Sequence, residues 1–280
     1  MAAPGYTAWT ADDAAELIAI PAIADDKYSR GVLGVITGST QYPGAAVLGV
    51  EAALHTGVGM VRYLGPQRPS TLVLERRPEA VTADGRAQAW LIGSGIERVT
   101  GSESANWAKR AVSQGVPMVL DGGGLELCGS ATGPVVITPH FRELAALIAG
   151  DVEEIARDPA TAAASAADSL GVTVLLKGHT SYVAAPDGTR LSASLAPTWL
   201  ATAGAGDALG GILGALVATH ADEVSRDAGL LGRLAATASV IHGVAAERAS
   251  SGGPFTVLDL AAQTSATVAD LLLHRMQKNG

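Results

Sequence analysis

The chain has 280 residues, of which 48% are hydrophobic and only 4% aromatic, and its 27 acidic and 19 basic residues give a net charge of −8. This length is enough to bury a core without disulfides or a structural metal. The acidic balance argues against a protein that binds the phosphate backbone of nucleic acids, and the only cysteine, Cys128, cannot form an internal disulfide.

The predicted elements alternate between strands and helices along most of the chain. Short apolar runs are typical of strands buried on both faces, and amphipathic or alanine-rich stretches between them predict helices. In chain order these are a strand at residues 32–37, a helix at 44–56, strands at 59–64 and 89–92, a helix at 102–114, strands at 117–120 and 134–138, helices at 141–148 and 161–170, and a strand at 172–176.

A turn signal and three helices follow these elements. Runs 182–185 and 190–193 flank Pro186-Asp187-Gly188, which predicts a β-hairpin. Helices are then predicted at 207–220, 230–248 and 258–274. The apolar stretch 200–219 contains Asp207 and several glycines, so we expect a loop and a buried helix rather than a membrane span.

Repeated strand–helix units predict an α/β protein with a mainly parallel central sheet between two helix layers, a three-layer αβα sandwich, in a single domain over 1–280. Ligands of such sheets bind beyond the carboxyl ends of the strands. Glycines and polar residues follow the predicted strands at Gly38-Ser39, Gly93-Ser94-Gly95, Asp121-Gly122-Gly123-Gly124, Thr138-Pro139-His140 and Lys177-Gly178. The sequence therefore predicts a ligand pocket at this edge.

The segment with the clearest chemical signal is Ala203-Gly204-Ala205-Gly206-Asp207, directly before an apolar helix. Glycines let a backbone approach a ligand closely, and the free amides at a helix start favour an anion such as phosphate. Asp207 would lie at this positive end, where it could equally act as a simple helix N-cap. The P-loop lysine is missing, as is the acid that completes a Rossmann fingerprint.

This segment resembles the Gly-Ala-Gly-Asp signature of ribokinase-like small-molecule kinases. Further segments resemble the ADP-dependent NAD(P)H-hydrate dehydratases and occur in that family's order: Tyr42-Pro43-Gly44-Ala45-Ala46, Thr56-Gly57-Val58-Gly59, Gly93-Ser94-Gly95-Ile96, Ile137-Thr138-Pro139-His140 and Leu176-Lys177-Gly178. The resemblance implies a ribokinase-like fold and a lyase for metabolite repair. Such an enzyme uses ADP or ATP, with Mg²⁺, to restore NADH or NADPH from their hydrates, and releases AMP and phosphate from ADP.

The resemblance also implies a role for individual residues. Asp207 is the expected catalytic base and touches the substrate. The expected substrate pocket further contains Ala45, Gly95 and His140. The expected nucleotide-binding residues are Lys177, Gly178, His179, Thr180, Ser181, Gly204 and Gly206. Glu143 is the candidate that would reach magnesium through water.

Structural alternatives remain open for several of these residues. His140 could cap a helix, Lys177 could be a solvated residue at a strand end, and Glu143 could pair with Arg142 or face solvent. His242, in an apolar helical stretch, is predicted to be a core or pocket-wall residue. Cys128 is expected to be an inert thiol, since no activating His or Lys is near it in the sequence.

Three segments depart from the family pattern. Phe141-Arg142 replaces the usual Pro-Gly between His140 and Glu143, and Asp121-Gly122-Gly123-Gly124 replaces a more common Asp-Ala-Asp-Ala or Asp-Ala-Asp-Gly. Trp199 lies where the family has an Asn-Pro-Gly approach to the glycine turn, and could cover or reshape the pocket. Two other functions therefore stay open: a kinase of a hydroxymethyl compound or sugar alcohol, and a nucleotide-binding protein without turnover.

Location and assembly follow from weaker signals. Asp12, Asp13 and Glu16 stand where a signal peptide would carry Lys or Arg, so export is not expected. The expected location is the cytoplasm, with no membrane or nucleic-acid partner. The family resemblance implies a homo-oligomer, and a tetramer is one form it could take.

Overall fold

The computed structural model describes residues 3–96 and 102–279. Within these ranges the strands are β1 (Thr7–Ala8), β2 (Val32–Ile36), β3 (Met60–Tyr63), β4 (Ala89–Ile92), β5 (Met118–Leu120), β6 (Val135–Ile137), β7 (Thr173–Leu176), β8 (Ser181–Ala184) and β9 (Arg190–Ala193). The helices are α1 (Ala11–Glu16), α2 (Gly44–Thr56), α3 (Gln67–Arg76), α4 (Glu103–Val112), α5 (Phe141–Ile148), α6 (Val152–Arg157), α7 (Pro159–Leu170), α8 (Ala205–Thr219), α9 (Ala221–Arg226), α10 (Leu230–Ser250) and α11 (Val257–Asn279). Two 3₁₀ segments, Gly122–Ser130 and Thr198–Leu200, complete the secondary structure of the described residues.

The described strands form one sheet in the order β1-β9-β8-β7-β6-β5-β4-β2-β3. All pairs from β3 to β7 are parallel, and β7, β8 and β9 pair antiparallel as the predicted hairpin requires. The carboxyl ends of β2, β4, β5, β6 and β7 therefore lie side by side at one edge. The predicted, mainly parallel sheet is confirmed.

Alternate residues of each strand point to opposite faces of the sheet, and each face has its own apolar core. On β4, Leu91 packs in one core with side chains of α2, α8, α10 and α11. Its neighbours Trp90 and Ile92 pack in the other core, with α4, α5 and α7. Helices thus cover both faces, which confirms the predicted αβα sandwich.

Several short elements were not predicted. β1, α1, α6 and α9 have two to six residues each, too few to show a period. α3 is longer but buries only Pro69 and Val73, so its apolar pattern is weak. The stretch 200–219 does form a loop and a buried helix, as predicted, and in the described ranges no helix has the length and apolarity to cross a membrane.

Candidate active site

The glycine turn before α8 has the backbone that only glycine adopts easily. Gly204 is the N-cap of α8, with φ of 92°, and a Cβ at this position would lie 2.5 Å from Leu48 Cδ1. α8 begins at Ala205, so Asp207 is the third residue of its first turn and does not cap it. The N-cap alternative for Asp207 is therefore wrong, and its carboxylate is free to face the strand ends.

The Asp207 carboxylate lies against the end of β4. Ser94, two residues beyond that strand, donates a hydrogen bond from Oγ to Asp207 Oδ1. Burial raises the pKa of Asp207 to about 6, the Ser94 hydrogen bond lowers it, Asp121 raises it further and Lys177 lowers it. A carboxylate with this pKa is mostly ionised at pH 7 yet basic enough to accept a proton, which suits a general base.

Lys177 follows β7 and is held by two neighbouring strand ends. Its Nζ donates to Asp121 Oδ1 at 2.6 Å, and the same oxygen accepts from Thr138 Oγ1 at 2.8 Å. The Lys177 side chain is 19% exposed, so it is not a solvated residue at a strand end. A Cβ on Gly206 would lie 3.3 Å from Nζ, which places this ammonium group beside the first turn of α8.

His140 and Glu143 form a reciprocal cap at the start of α5. Glu143 N donates to His140 Nδ1 at 3.1 Å, and His140 N donates to Glu143 Oε2 at 2.8 Å. Glu143 Oε2 also lies 3.8 Å from Lys177 Nζ, so this carboxylate pairs with Lys177 rather than with Arg142. The helix-cap alternative for His140 is confirmed, while its half-exposed ring still reaches a cavity wall.

Two cavities meet at the first turn of α8. The first has a volume of about 730 Å³ and contains Asp207 and Ser94 in its wall. The second has about 720 Å³ and contains Lys177 and Gly206. The start of α8 thus presents a carboxylate to one cavity, and glycine backbone and a cation to the other.

The predicted site residues divide between these two cavities. The first cavity is lined by Ala45, Gly95, Gly204 and Asp207. The second is lined by His140, Lys177, Gly178, His179, Ser181 and Gly206. His140, expected with the substrate residues, lines the second cavity together with the expected nucleotide-binding residues. Gly204, expected to bind the nucleotide, lines the first cavity together with Asp207. Thr180 lines neither cavity: its hydroxyl is hydrogen-bonded to Ser194 Oγ at 2.9 Å.

His242 is both a buried and a pocket-wall residue, as predicted. Its Nε2 donates to Ala205 O at 2.9 Å, because a carbonyl can only accept, and this bond ties α10 to the first turn of α8. Burial lowers the pKa of His242 to about 4. The ring is therefore neutral at pH 7 and acts as a hydrogen-bond donor to the helix.

Sequence reasoning did not assign site roles to Ser94 and Asp121, although it quoted both within strand-end segments. Each is among the first polar residues after its strand, β4 or β5. This position directly after a buried strand was the sequence feature that could have indicated a site role for both residues. Their contacts with Asp207 and Lys177 join residues more than 50 positions apart, and no local pattern specifies such pairs.

Comparison with known proteins adds independent findings. The sequence profile of the family described as NAD(P)H-hydrate dehydratase matches residues 33–265. The bifunctional NAD(P)H-hydrate repair enzyme of Mycobacterium leprae is 39% identical over 220 residues, which are 74% of this chain and 45% of the relative. The ADP-dependent (S)-NAD(P)H-hydrate dehydratase of Xanthomonas campestris is 32% identical over 229 residues, 74% of this chain and 78% of the relative. The chain spans about half the length of the bifunctional relatives it matches.

Solved structures agree on the fold. The ADP/ATP-dependent NAD(P)H-hydrate dehydratase from Bacillus subtilis, co-crystallised with ATP/Mg²⁺, has a TM-score of 0.83 at 23% identity and covers 96% of this chain and 100% of that one. A ribokinase-like superfamily protein from Enterococcus faecalis also gives 0.83, at 20% identity, with 97% and 98% covered. These likenesses confirm the ribokinase-like fold expected from the sequence.

Proposed function

The chain belongs to the NAD(P)H-hydrate dehydratase family, and from this membership and the site we propose that it dehydrates hydrated NADH or NADPH at the expense of ADP or ATP. The observation that carries the proposal is the meeting of two cavities at one helix start. Asp207 faces the first cavity, and the backbone of Gly206 and the Lys177 ammonium group face the second. We assign the hydrated dinucleotide to the first cavity and the nucleotide to the second.

The proposed reaction begins at the hydroxyl group of the hydrated ring. Asp207 accepts the hydroxyl proton while the hydroxyl oxygen attacks the terminal phosphorus of ADP, so the P–O bond to AMP breaks and AMP leaves. The new phosphate ester is a better leaving group than hydroxide. The ring nitrogen then supplies electrons to expel phosphate, and loss of a proton from the adjacent carbon restores the double bond.

The surroundings of α8 would compensate the negative charge that develops at phosphorus. Amides in the first turn of a helix have no intrahelical acceptor and carry the positive end of the helix dipole. Lys177 adds a cation beside Gly206. Phosphoryl transfer depends mainly on such positioning and charge compensation, so this arrangement supports the assignment of the second cavity.

The carboxylates near Lys177 fit a magnesium ion that is held mostly by other ligands. In the described ranges no group of three or more His, Cys, Asp or Glu side chains could hold a metal ion. Mg²⁺ in phosphate sites commonly keeps several waters and uses one or two carboxylates with the substrate phosphates. Glu143, with Oε2 already bonded to His140 N, is the residue that would reach it through water. The ion would neutralise phosphate charge.

The direct test mixes the protein with hydrated NADH or NADPH and either ADP or ATP, and follows the absorbance of the reduced nicotinamide. We expect recovery of the normal dinucleotide with the wild-type protein, and a loss of most turnover with Asp207→Asn, which is nearly isosteric. Asp222→Asn is the matched control, because Asp222 is exposed beyond the far end of the 15-residue helix α8, about 22 Å of helix from the site.

Four results would contradict the proposal or one part of it. Folded wild-type protein that recovers no dinucleotide with either nucleotide would remove the dehydratase function. Nucleotide consumption that depends instead on a hydroxymethyl compound or a sugar alcohol would indicate a small-molecule kinase. Normal turnover by Asp207→Asn would remove only the general-base role. Tight ADP binding without turnover in either assay would indicate a nucleotide-binding protein.

We also propose a cytoplasmic location, a single ribokinase-like domain and a homo-oligomeric state. The resemblance to metabolite-repair enzymes supports the location, and the continuous sheet of the described residues supports one domain. Light scattering on the purified protein measures the number of subunits. A monomer at micromolar concentration would contradict the homo-oligomer.

A further inference from the structure

Ser94 lies at the end of β4, where it forms part of the wall of the first cavity together with Asp207. Its Oγ donates to Asp207 Oδ1, so one carboxylate oxygen is occupied and Oδ2 is left without this bond. We propose that Ser94 is a positioning residue that fixes the Asp207 carboxylate so that Oδ2 meets the substrate hydroxyl. The proposal rests on the function proposed above, and it adds a residue to which no role has been assigned.

The backbone holds Ser94 in place from two sides. Ser94 O accepts from Gly38 N at 2.8 Å, which ties the end of β4 to the end of β2. On the other side, a Cβ on Gly122 would lie 2.9 Å from both Cα and Cβ of Ser94. Gly122, with φ of 50°, stands where the family pattern has alanine. The absence of this methyl group leaves the space that Ser94 occupies.

Charged groups of both signs surround Ser94 and Asp207, and they act on the pKa of Asp207 together with the Ser94 hydrogen bond. Asp121, after β5, and Lys177, after β7, face Asp207 with opposite effects on its pKa. Glu143 on α5 lies beside Lys177, and His242 on α10 is neutral at pH 7 because its pKa is about 4. Ser94 is the side chain that donates to Asp207 in the described structure, and a donor favours the ionised form of a carboxylate.

The first test is the pH profile of kcat for Ser94→Ala. Loss of a hydrogen bond to a charged group should raise the pKa of Asp207 by about one unit. The ionised fraction of Asp207 would then fall about fivefold at pH 6 and hardly at all at pH 8. We therefore expect the deficit of Ser94→Ala relative to wild type to be about fivefold larger at pH 6 than at pH 8, on top of a pH-independent loss from misorientation.

Two further variants separate positioning from packing. Ser94→Thr keeps the hydroxyl group. The apparent pKa on the acidic side of its kcat–pH profile (the acid limb) should therefore stay within about 0.3 of the wild-type value. Ser169→Ala is the matched control, since the Ser169 hydroxyl bonds only to Ala166 O within α7, which ends at the opposite edge of the sheet. Its profile should match wild type.

A double mutant tests whether Ser94 acts through Asp207. In an Asp207→Asn background, Ser94→Ala should lower the residual turnover by less than about twofold, because residues that act as one unit are not additive. An unshifted acid limb in Ser94→Ala, or a full additional loss in the double mutant, would overturn the positioning role.

A carbon-13 NMR titration of the Asp207 carboxyl group needs no turnover. It should show the same upward shift of the pKa in Ser94→Ala. If wild type lacks dehydratase activity, the proposed function fails, and this titration still decides whether Ser94 holds Asp207. An unchanged Asp207 titration would overturn the inference.

Discussion

Substitution of Asp207 by Asn should stabilise the fold at neutral pH while it removes most turnover. Burial raises the pKa of Asp207 from 3.8 to about 6, so the folded protein binds a proton more tightly than the unfolded chain does. The contribution of Asp207 to the free energy of unfolding therefore falls as the pH rises from about 4 to about 6 and is lowest above that range. A rise of the pKa from 3.8 to about 6 means that the ionised carboxylate lowers the free energy of unfolding by at most about 3 kcal/mol.

Asparagine has no charge to bury, and its Oδ1 can still accept the Ser94 hydrogen bond. We expect Asp207→Asn to be more stable than wild type by about 1–3 kcal/mol at pH 7.5 and by almost nothing at pH 3.5, where Asp207 is protonated in both states. The measurement is the midpoint of urea unfolding across this range, with an unchanged slope as a check.

The exposed Asp222→Asn serves again as the control and should show no such pH-dependent gain. Equal stability of Asp207→Asn and wild type at pH 7.5 would refute the reasoning, since it would mean that the site does not disfavour the ionised form of this carboxylate. A gain of the same size at pH 3.5 would also refute it, because desolvation of a charge cannot act on a neutral group.

Two further substitutions test the second cavity and the glycine turn. Lys177→Ala should raise the KM for the nucleotide at least about tenfold and lower kcat less, because the proposed function assigns the phosphates of the nucleotide to the ammonium group beside Gly206. An unchanged KM in steady-state kinetics would place Lys177 outside the nucleotide site. Gly204→Ala combines a φ of 92° with a Cβ 2.5 Å from Leu48 Cδ1, so we expect a loss of about 2–4 kcal/mol in urea unfolding; a loss below about 0.5 kcal/mol would show that the turn relaxes freely.

The sheet was predictable from the sequence because buried parallel strands are short apolar runs with clear ends. β4 and β6 illustrate this, since each lies within its predicted range. The location of the candidate site was predictable for the same reason: strand ends in a parallel sheet share one edge. α6 and α9, with six residues each, carry no comparable signal.

The division into two cavities was not predictable, because it depends on contacts between distant segments. His140 was expected with the substrate residues, yet Lys177 N bonds to Pro139 O at 2.9 Å and draws His140 to the wall of the second cavity. Gly204 and Gly206 are two residues apart, but the helix turn between them places them on different cavities. Sequence spacing alone does not show on which side of a helix start a residue lies.

The departures from the family pattern have structural explanations that leave the proposed chemistry in place. Phe141-Arg142 lies inside the cap formed by His140 and Glu143, and both reciprocal bonds of that cap are made. Trp199 is half exposed in a 3₁₀ segment whose other two residues line the second cavity, and its own side chain is not part of that lining.

The departure at Gly122 differs, because it is coupled to the site through Ser94. A methyl group at position 122 would press on the Cα and Cβ of Ser94, and Ser94 in turn holds the carboxylate on which turnover is proposed to depend. Gly122→Ala should therefore shift the acid limb of the pH profile in the same direction as Ser94→Ala, although residue 122 contacts neither cavity.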